Sequence, residues 1–457
     1  MDLPRFTLKA NSIEVLHRPA EFYAQLIQSI RSAKRRIFLS SLYIGKEELE
    51  LVGELHTALK ASEGLNVHIL LDALRATREH PKSASSVSLV ASLQAAFPRR
   101  VKVSLYHSPE LHGLLKAVVP KRFDEGWGLW HAKMYGFDDD LIISGANLSA
   151  DYFNQRQDRY MIFRSASALT DYFAALVALS SAFCYGLIGR DASSTLAAFD
   201  LTWPHADLER PEKKHRAFRE TVSQRLNEFT TNFAQFLSPR ETPGDDTTIS
   251  PVLQMGSFGI HQETDTVMPA LFECAHALDP AIASLSFTSG YFNMTPQMTR
   301  QLLACPIPSS VVCASPQANG FYGSQGFSRH IPAGYTEAEK RFYLQAHSSA
   351  AAQVTLSEYA RQGWTYHAKG LWLHTDNVGP GTTYIGSSNY GPRSARRDVE
   401  ANLLITTKSD EFKGRLKDEI KQIETYTQPV DAQTFEAPDR KVTMGVSIAA
   451  RLIKDML

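Results

Sequence analysis

A chain of 457 residues is too long for one ordinary core and predicts two domains of roughly 200 residues each. Apolar residues make up 43% and charged residues 21%, a balance that excludes a disordered chain. Lys+Arg and Asp+Glu stand at 48 each, which argues against proteins that track phosphate backbones, nucleases among them. In chain order, Met1 to Phe6 has neither an apolar signal core nor an Arg/Ser-rich amphipathic start. Ser12 to Leu16 reads as a strand, and Pro19 opens a helix with Phe22, Leu26 and Ile30 at helical period. Arg36 to Tyr43 reads as a buried strand, Glu47 to Ala61 as a helix and Val67 to Leu71 as a strand ending at Asp72. A helix over 86–96 and a strand over 101–105 continue the alternation, which predicts a mixed sheet covered by helices on both faces.

The loop from His107 to Lys121 holds the apolar run Leu114-Leu-Lys-Ala-Val-Val-Pro120, fit either to dip into lipid or to cap a pocket. Tyr172 to Gly189 is uncharged but broken by serines and alanines, so a buried helix over 168–186 is expected rather than a membrane span. The charge run at 208–216 predicts a solvated face, Val222 to Phe236 a helix, and Ser238 to Thr248 a turn-rich linker. The expected division is therefore 1–205, a helical and charged linker 206–250, a second domain 251–440 and an amphipathic helix 441–457. That last helix packs on the core or, alternatively, lies in a membrane interface. Ser284 to Phe292 echoes Arg36 to Ile44, and Ser310 to Cys313 echoes Val67 to Leu71, so the second half repeats the first in outline. Asn319 to Gly326 is glycine-rich and reads as a flexible substrate loop. Cys184, Cys274, Cys305 and Cys313 show no metal-binding spacing and read as thiols in a reducing compartment.

Two stretches carry chemistry. In Leu129-Trp-His-Ala-Lys-Met-Tyr-Gly-Phe-Asp138, His131, Lys133 and Asp138 follow the order H-x-K-x4-D, and Ser144-Gly-Ala-Asn147 comes next. The echo is His367-Ala-Lys369 followed by Ile385-Gly-Ser-Ser-Asn389. Residues two apart on a strand share a face, so each histidine projects with its lysine. An imidazole beside a fixed cation suits attack on a phosphodiester, with nitrogen as nucleophile or proton donor and the ammonium balancing phosphoryl charge. H-x-K alone is cheap: His80-Pro-Lys82 is a third copy, with Val87 in place of the aspartate, and reads as a surface loop. The repeat of the whole pattern is specific, each copy followed by an apolar strand, a small-residue turn, an asparagine and then a carboxylate, Asp158 or Glu400.

At these residues the chain resembles the phospholipase D superfamily, and within it the mitochondrial phosphatidylglycerophosphate synthase branch. The wording Ile143-Ser-Gly-Ala-Asn-Leu-Ser149, Asn154-Gln-Arg-Gln-Asp-Arg-Tyr160 and His367-Ala-Lys-Gly-Leu-Trp-Leu373 carries the likeness, which runs from about Phe22 to about Thr406. One departure stands at His374, where the superfamily has aspartate, and Asp376 is no assumed substitute. The resemblance implies an α/β phospholipase D-like fold: two pseudo-symmetric α/β/α sandwich domains with mixed sheets and a shared active-site cleft. It implies transfer of the phosphatidyl group of CDP-diacylglycerol to glycerol-3-phosphate with release of CMP. His131 is expected to form a phosphatidyl-histidine and His367 to act as acid and then base. Lys133, Lys369, Asn147 and Asn389 would hold phosphoryl oxygens, and Asp158 and Glu400 would fix the imidazole tautomers. Asp138 is counted with the site as support and not for proton transfer. Arg156, Arg393 and Ser387 are the candidate substrate-binding residues, the two arginines open equally to ordinary surface pairing. No metal is required, although a divalent cation on the pyrophosphate stays open. The expected partners are the lipid substrates and an anionic membrane surface at the matrix side of the mitochondrial inner membrane, with no nucleic acid. A transit peptide would then have preceded this chain. Rival readings are a phosphatidylserine or cardiolipin synthase, a nucleic-acid phosphodiesterase and a catalytically dead lipid-binding module.

Overall fold

The computed structural model describes residues 3–78, 85–119, 124–191, 193, 198–236, 243–325, 329–348, 353–440 and 442. The third H-x-K copy at 80–82, part of the glycine-rich 319–326 stretch and nearly all of 441–457 lie outside the described residues. The first helix, Pro19–Ser32, begins where Pro19 pre-sets the backbone and Glu21 accepts the N–H groups of His17 and Arg18 at 3.0 and 3.1 Å. Its Phe22, Leu26 and Ile30 are completely buried, each worth roughly 1.5–3 kcal/mol of transfer free energy.

Two mixed sheets form. The first has nine strands, ordered Phe199–Thr202, Tyr185–Gly189, Val101–Tyr106, Asn66–Asp72, Arg36–Ser40, Met134–Phe137, Asp140–Ser144, Tyr160–Phe163 and Ile13–Leu16. The main path of the ten-stranded second sheet runs Phe6–Leu8, Thr247–Met255, Val399–Thr407, Pro380–Gly386, Lys369–His374, Ser284–Ser289, Ser309–Ala314, Val354–Tyr359 and Thr427–Pro429. Starting from Ile13–Leu16 in one and Thr247–Met255 in the other, the two orders match strand for strand. Parallel and antiparallel pairings match as well: Arg36–Ser40 runs parallel to Asn66–Asp72 and antiparallel to Met134–Phe137, as Ser284–Ser289 does to Ser309–Ala314 and Lys369–His374. The chain is a structural duplication.

One core lies between the sheets. It joins Met134, Ile143, Met161 and Phe163 of the first to Trp372, Ile385, Leu403 and Ile405 of the second, with separate helix-covered cores on the outer faces. A buried cross-half ion pair pins the register. Arg159 donates to both oxygens of Glu419 at 2.8 and 2.9 Å, to the Tyr384 carbonyl at 2.8 Å, and stacks 3.8 Å from the Trp372 ring centre.

The expected boundaries do not follow the strand pairing. Phe6–Leu8 crosses over to the second sheet, where Phe6 opposes Ile249. The stretch 206–250 contributes helix His215–Phe236, whose Phe218, Val222 and Leu226 fill the shared core, and the start of strand Thr247–Met255. Tyr172 to Gly189 is not one helix either. Helix Ser167–Ser181 ends and Tyr185–Gly189 returns as a strand, because Cys184 and Leu187 find buried places on the sheet. Within the His107–Lys121 loop, Gly113–Val118 is helical and turns Leu114 and Val118 outward, 86% and 76% exposed.

Candidate active site

Each histidine sits in an extended segment that leads into its sheet. Leu129 to His131 runs beside Val399: the His131 N–H donates to the Val399 carbonyl at 2.9 Å, and the Val399 N–H returns a bond to Leu129 at 2.8 Å. Thr365 and Tyr366 pair in parallel with Arg156 and Gln157, and the His367 N–H donates to the Gln157 carbonyl at 2.8 Å. The residue after each of these partners is a carboxylate, so the two halves exchange braces. His131 Nδ1 lies 2.9 Å from Glu400 Oε2, and His367 Nδ1 lies 2.7 Å from Asp158 Oδ2. Ionised Glu400 only accepts, so the His131 proton is on Nδ1 and its Nε2 keeps the lone pair.

The lysines repeat this symmetry. Lys133 Nζ donates to the His131 carbonyl and Lys369 Nζ to the His367 carbonyl, both at 2.6 Å. Burial pulls Lys133 down to about 7 and Lys369 to about 8. Burial also lowers both histidines, aided at His367 by Lys369 and Arg156 and opposed at His131 by Glu400. The two carboxylates differ. Burial lifts Asp158 to about 6. Burial works on Glu400 too, but His131, Lys133 and the Ser387 hydroxyl outweigh it and hold the group ionised. At neutral pH one pair is thus imidazole plus carboxylate, and the other keeps a proton longer.

Asn147 and Asn389 occupy the matching turns, Asn147 Oδ1 near the Ser41 hydroxyl at 3.4 Å and Asn389 Oδ1 buried with no partner among the described residues. Gly145 is there for close approach: a Cβ would come 2.6 Å from Asp158 Oδ1. Arg156 reaches toward His367, held by Thr365 Oγ1 at 2.9 Å and lying over the Tyr152 ring. Arg393 donates to Asp398 Oδ2 at 3.0 Å and so is an anchored group rather than a surface one.

Two assignments need correcting. Asp138 is not at the site. It stands at the far end of strand Met134–Phe137 with φ of 53°, where its carboxylate accepts the N–H groups of Lys34, Arg35 and Arg36 at 2.8–3.0 Å. It ties two strands together, and His374, seven residues after His367, also stands at the far end of its strand, Lys369–His374. Asp376 is likewise remote, bonded to Lys413 at 2.7 Å. Ser387 does not face substrate with a spare hydroxyl, because it donates to Glu400 Oε2 at 2.5 Å.

Sequence reasoning missed several neighbours. Asp72, lifted to about 8 by burial, accepts the Trp130 N–H at 2.9 Å, and Asp398 accepts the Leu129 N–H at 3.0 Å, so two carboxylates set the His131 segment. Tyr152 and Tyr291 face His367 edge-on with ring centres 5.1 and 5.3 Å away. The ligand atoms of His131, Asp398 and Glu400 cluster within 4.8 Å of one another. The Asp398 and Glu400 oxygens already take the hydrogen bonds above, and an ion there would have to displace them.

Two histidine–lysine pairs with crossed carboxylate braces, set between duplicated mixed sheets, define a phospholipase D-like protein. Residues 26–177 match the family described as cardiolipin synthase, PLD-like domain. Over its full length the fold is similar to phosphatidylserine synthase of Haemophilus influenzae, with a TM-score of 0.72, 21% identity and coverage of 100% of this chain and 97% of that one. Curated relatives named CDP-diacylglycerol–glycerol-3-phosphate 3-phosphatidyltransferase include those of Saccharomyces pastorianus, 38% identical across 98% of this chain and 88% of that protein, and Schizosaccharomyces pombe, 37% identical across 99% and 96%. The human mitochondrial form is 34% identical across 99% of this chain and 84% of its own length. The chain belongs to the CDP-diacylglycerol–glycerol-3-phosphate 3-phosphatidyltransferase family.

Proposed function

We propose that the chain transfers the phosphatidyl group of CDP-diacylglycerol to glycerol-3-phosphate, giving phosphatidylglycerophosphate and CMP. The observation that carries this reading is full-length identity of 34–38% to relatives bearing that name, joined to the complete pair of braced histidines and lysines. In the first step His131 Nε2 attacks the diester phosphorus, the bond to the CMP oxygen breaks, and His367 gives that oxygen a proton. In the second, His367 takes the proton of a glycerol-3-phosphate hydroxyl, whose oxygen attacks phosphorus as the bond to His131 breaks. Lys133, Lys369, Asn147 and Asn389 hold the phosphoryl oxygens while charge accumulates. The contrast between the carboxylates favours these roles: ionised Glu400 supports a nucleophile that becomes cationic, and Asp158, with its raised value, helps keep a proton on the His367 side. Arg156 and Arg393 are the candidate anchors for substrate phosphates.

The reading routes no step through a metal, and chelation by EDTA should leave CMP release intact. It places the enzyme at the matrix face of the mitochondrial inner membrane, bound peripherally. Mitochondrial relatives support the compartment, and among the described residues no helix is long and apolar enough to cross a membrane. The test is CMP release from CDP-diacylglycerol with glycerol-3-phosphate, serine, phosphatidylglycerol or water as acceptor. Glycerol-3-phosphate should be used almost alone, and His131→Ala and His367→Ala should each lose well beyond the ~10²–10⁴-fold of acid–base help. Preference for another acceptor would change the assigned reaction. Either variant keeping a tenth of the rate would defeat the composite site.

A further inference from the structure

Behind Glu400 lies a second buried carboxylate that the mechanism above does not use. Glu263 sits in the π-helical turn Gln262–Val267 and is fully enclosed. Such turns interrupt an α-helical hydrogen-bond ladder and persist where they aim a side chain. Glu263 Oε1 lies 2.7 Å from the Ser388 hydroxyl, and Oε2 accepts from the Tyr384 hydroxyl at 2.9 Å and the Asn402 amide at 3.3 Å. Ser388 Oγ is 3.1 Å from Ser394 Oγ, and Ser394 donates to Glu400 Oε1. Glu400 holds His131. The chain of contacts from Glu263 to the His131 imidazole is unbroken.

Proton counting favours its neutral form. Each serine hydroxyl has one proton to give. If both carboxylates were ionised, Ser388 would donate to Glu263 and Ser394 to Glu400, leaving the two hydroxyl oxygens facing each other at 3.1 Å with no proton between them. If Glu263 carries a proton, every contact is filled in one direction: Glu263 to Ser388, Ser388 to Ser394, Ser394 to Glu400. The titratable groups facing Glu263 are Tyr384, Tyr390 and Glu400, and the charged one, Glu400, disfavours a second negative charge. Burial and Glu400 push Glu263 up to about 7. The first half has no counterpart, since Gly145 and Ala146 stand where Ser387 and Ser388 do in the second. The same cluster fixes the turn that carries Asn389: Ser388 and Ser394 accept the N–H groups of Tyr390 and Asn389, and Tyr390 is held at φ of 59°.

We infer that Glu263 is a positioning residue for His131, a neutral carboxylic acid whose proton begins a hydrogen-bonded relay through Ser388 and Ser394 to Glu400. The inference rests on His131 being the working histidine of the proposed reaction. Glu263→Gln tests it, because an amide can donate to Ser388 and accept from Tyr384 as the neutral acid does, but cannot ionise. The variant should match the wild type near pH 6. Its kcat relative to the wild type should then rise as pH goes from 6 to 9, where the wild type loses the Glu263 proton. Glu263→Leu and Ser388→Ala, which cut the relay, should lower kcat about tenfold with KM unchanged, the scale of one hydrogen bond to a charged group. A flat Gln-to-wild-type ratio across that range, or loss of KM and kcat together in Ser388→Ala, would overturn the relay while the wild type still released CMP. Absence of CMP release from the wild type itself would instead mean that the underlying reaction is wrong.

Discussion

Gly290→Ala should slow the enzyme without any charged or polar side chain being changed. Gly290 follows strand Ser284–Ser289 and donates its N–H to the carbonyl of Ala368, which lies between His367 and Lys369, at 3.0 Å. A Cβ at this position would stand 2.7 Å from His367 Cα and 2.7 Å from the Tyr366 carbonyl oxygen. Both neighbours are backbone, so no side chain can swing aside. Reaching the 3.4 Å of an ordinary contact requires the His367 backbone to retreat by about 0.7 Å. A 1 Å misplacement of reacting groups is worth about 10²-fold, so kcat should fall by a few tens of fold, with strain of about 1–3 kcal/mol lowering the melting temperature. Gly53→Ala is the control. It lies inside helix Leu49–Ala61 with nothing within 4 Å of the new Cβ, and should gain about 0.5–1 kcal/mol with full activity. The assay is CMP release at saturating CDP-diacylglycerol and glycerol-3-phosphate, with a melt of each variant. If Gly290→Ala kept half the wild-type kcat, the close packing of the His367 backbone would not matter to the chemistry.

Lys133 and Lys369, at about 7 and about 8 in the fold against 10.5 unfolded, make the unfolded chain the better proton binder across that interval. Glu263 and Asp72, raised to about 7 and about 8, work the other way as they lose their protons, so stability of the substrate-free enzyme should rise from pH 8 to 9 while kcat/KM falls, as neutral lysines stop balancing phosphoryl charge; melts and rates that move together would contradict this. Arg159→Met strands Glu419 in the core and should cost about 3–5 kcal/mol in urea unfolding, most of it recovered in Arg159→Met/Glu419→Leu. Additive single effects would mean that the pair does not act as a unit. Leu114→Asp/Val118→Asp should weaken sedimentation with anionic liposomes while sparing turnover on detergent-dispersed substrate. Unchanged sedimentation would remove that helix from the membrane contact.

Local pattern carried much of this account. Helical period in Phe22, Leu26 and Ile30 marked the first helix, and the repeated H-x-K with its following strand, turn and asparagine marked both halves of the site. What stayed hidden was set by tertiary placement. Nothing local says that Glu400 braces the histidine 269 positions before it, or that Asp158 braces the one 209 positions after. Asp138 looked like part of the site because it belongs to the motif, yet a strand of four residues carries it to the opposite end of the sheet. Ser387 looked free for substrate because its partner arrives from another strand. Phe6–Leu8 joins the far sheet by an edge pairing that three residues cannot announce, and Tyr185–Gly189 was masked by the uncharged helix before it. Glu263 gave no signal at all, since its importance comes from Ser388, Ser394 and Glu400 gathered around it.

If His131 carries the phosphatidyl group between donor and acceptor, a covalent intermediate separates release of CMP from attack by glycerol-3-phosphate. The direct measurement is exchange of labelled CMP into CDP-diacylglycerol with no glycerol-3-phosphate present, paired with the stereochemistry at phosphorus over the full reaction. Exchange is expected in the wild type, none in His131→Ala, and net retention, since each of two in-line displacements inverts the centre. An acid-labile lipid adduct should map to the peptide holding His131 when His367→Asn is given a donor whose leaving group needs no proton. Inversion without exchange would mean direct attack by glycerol-3-phosphate, and the covalent histidine would have to be given up.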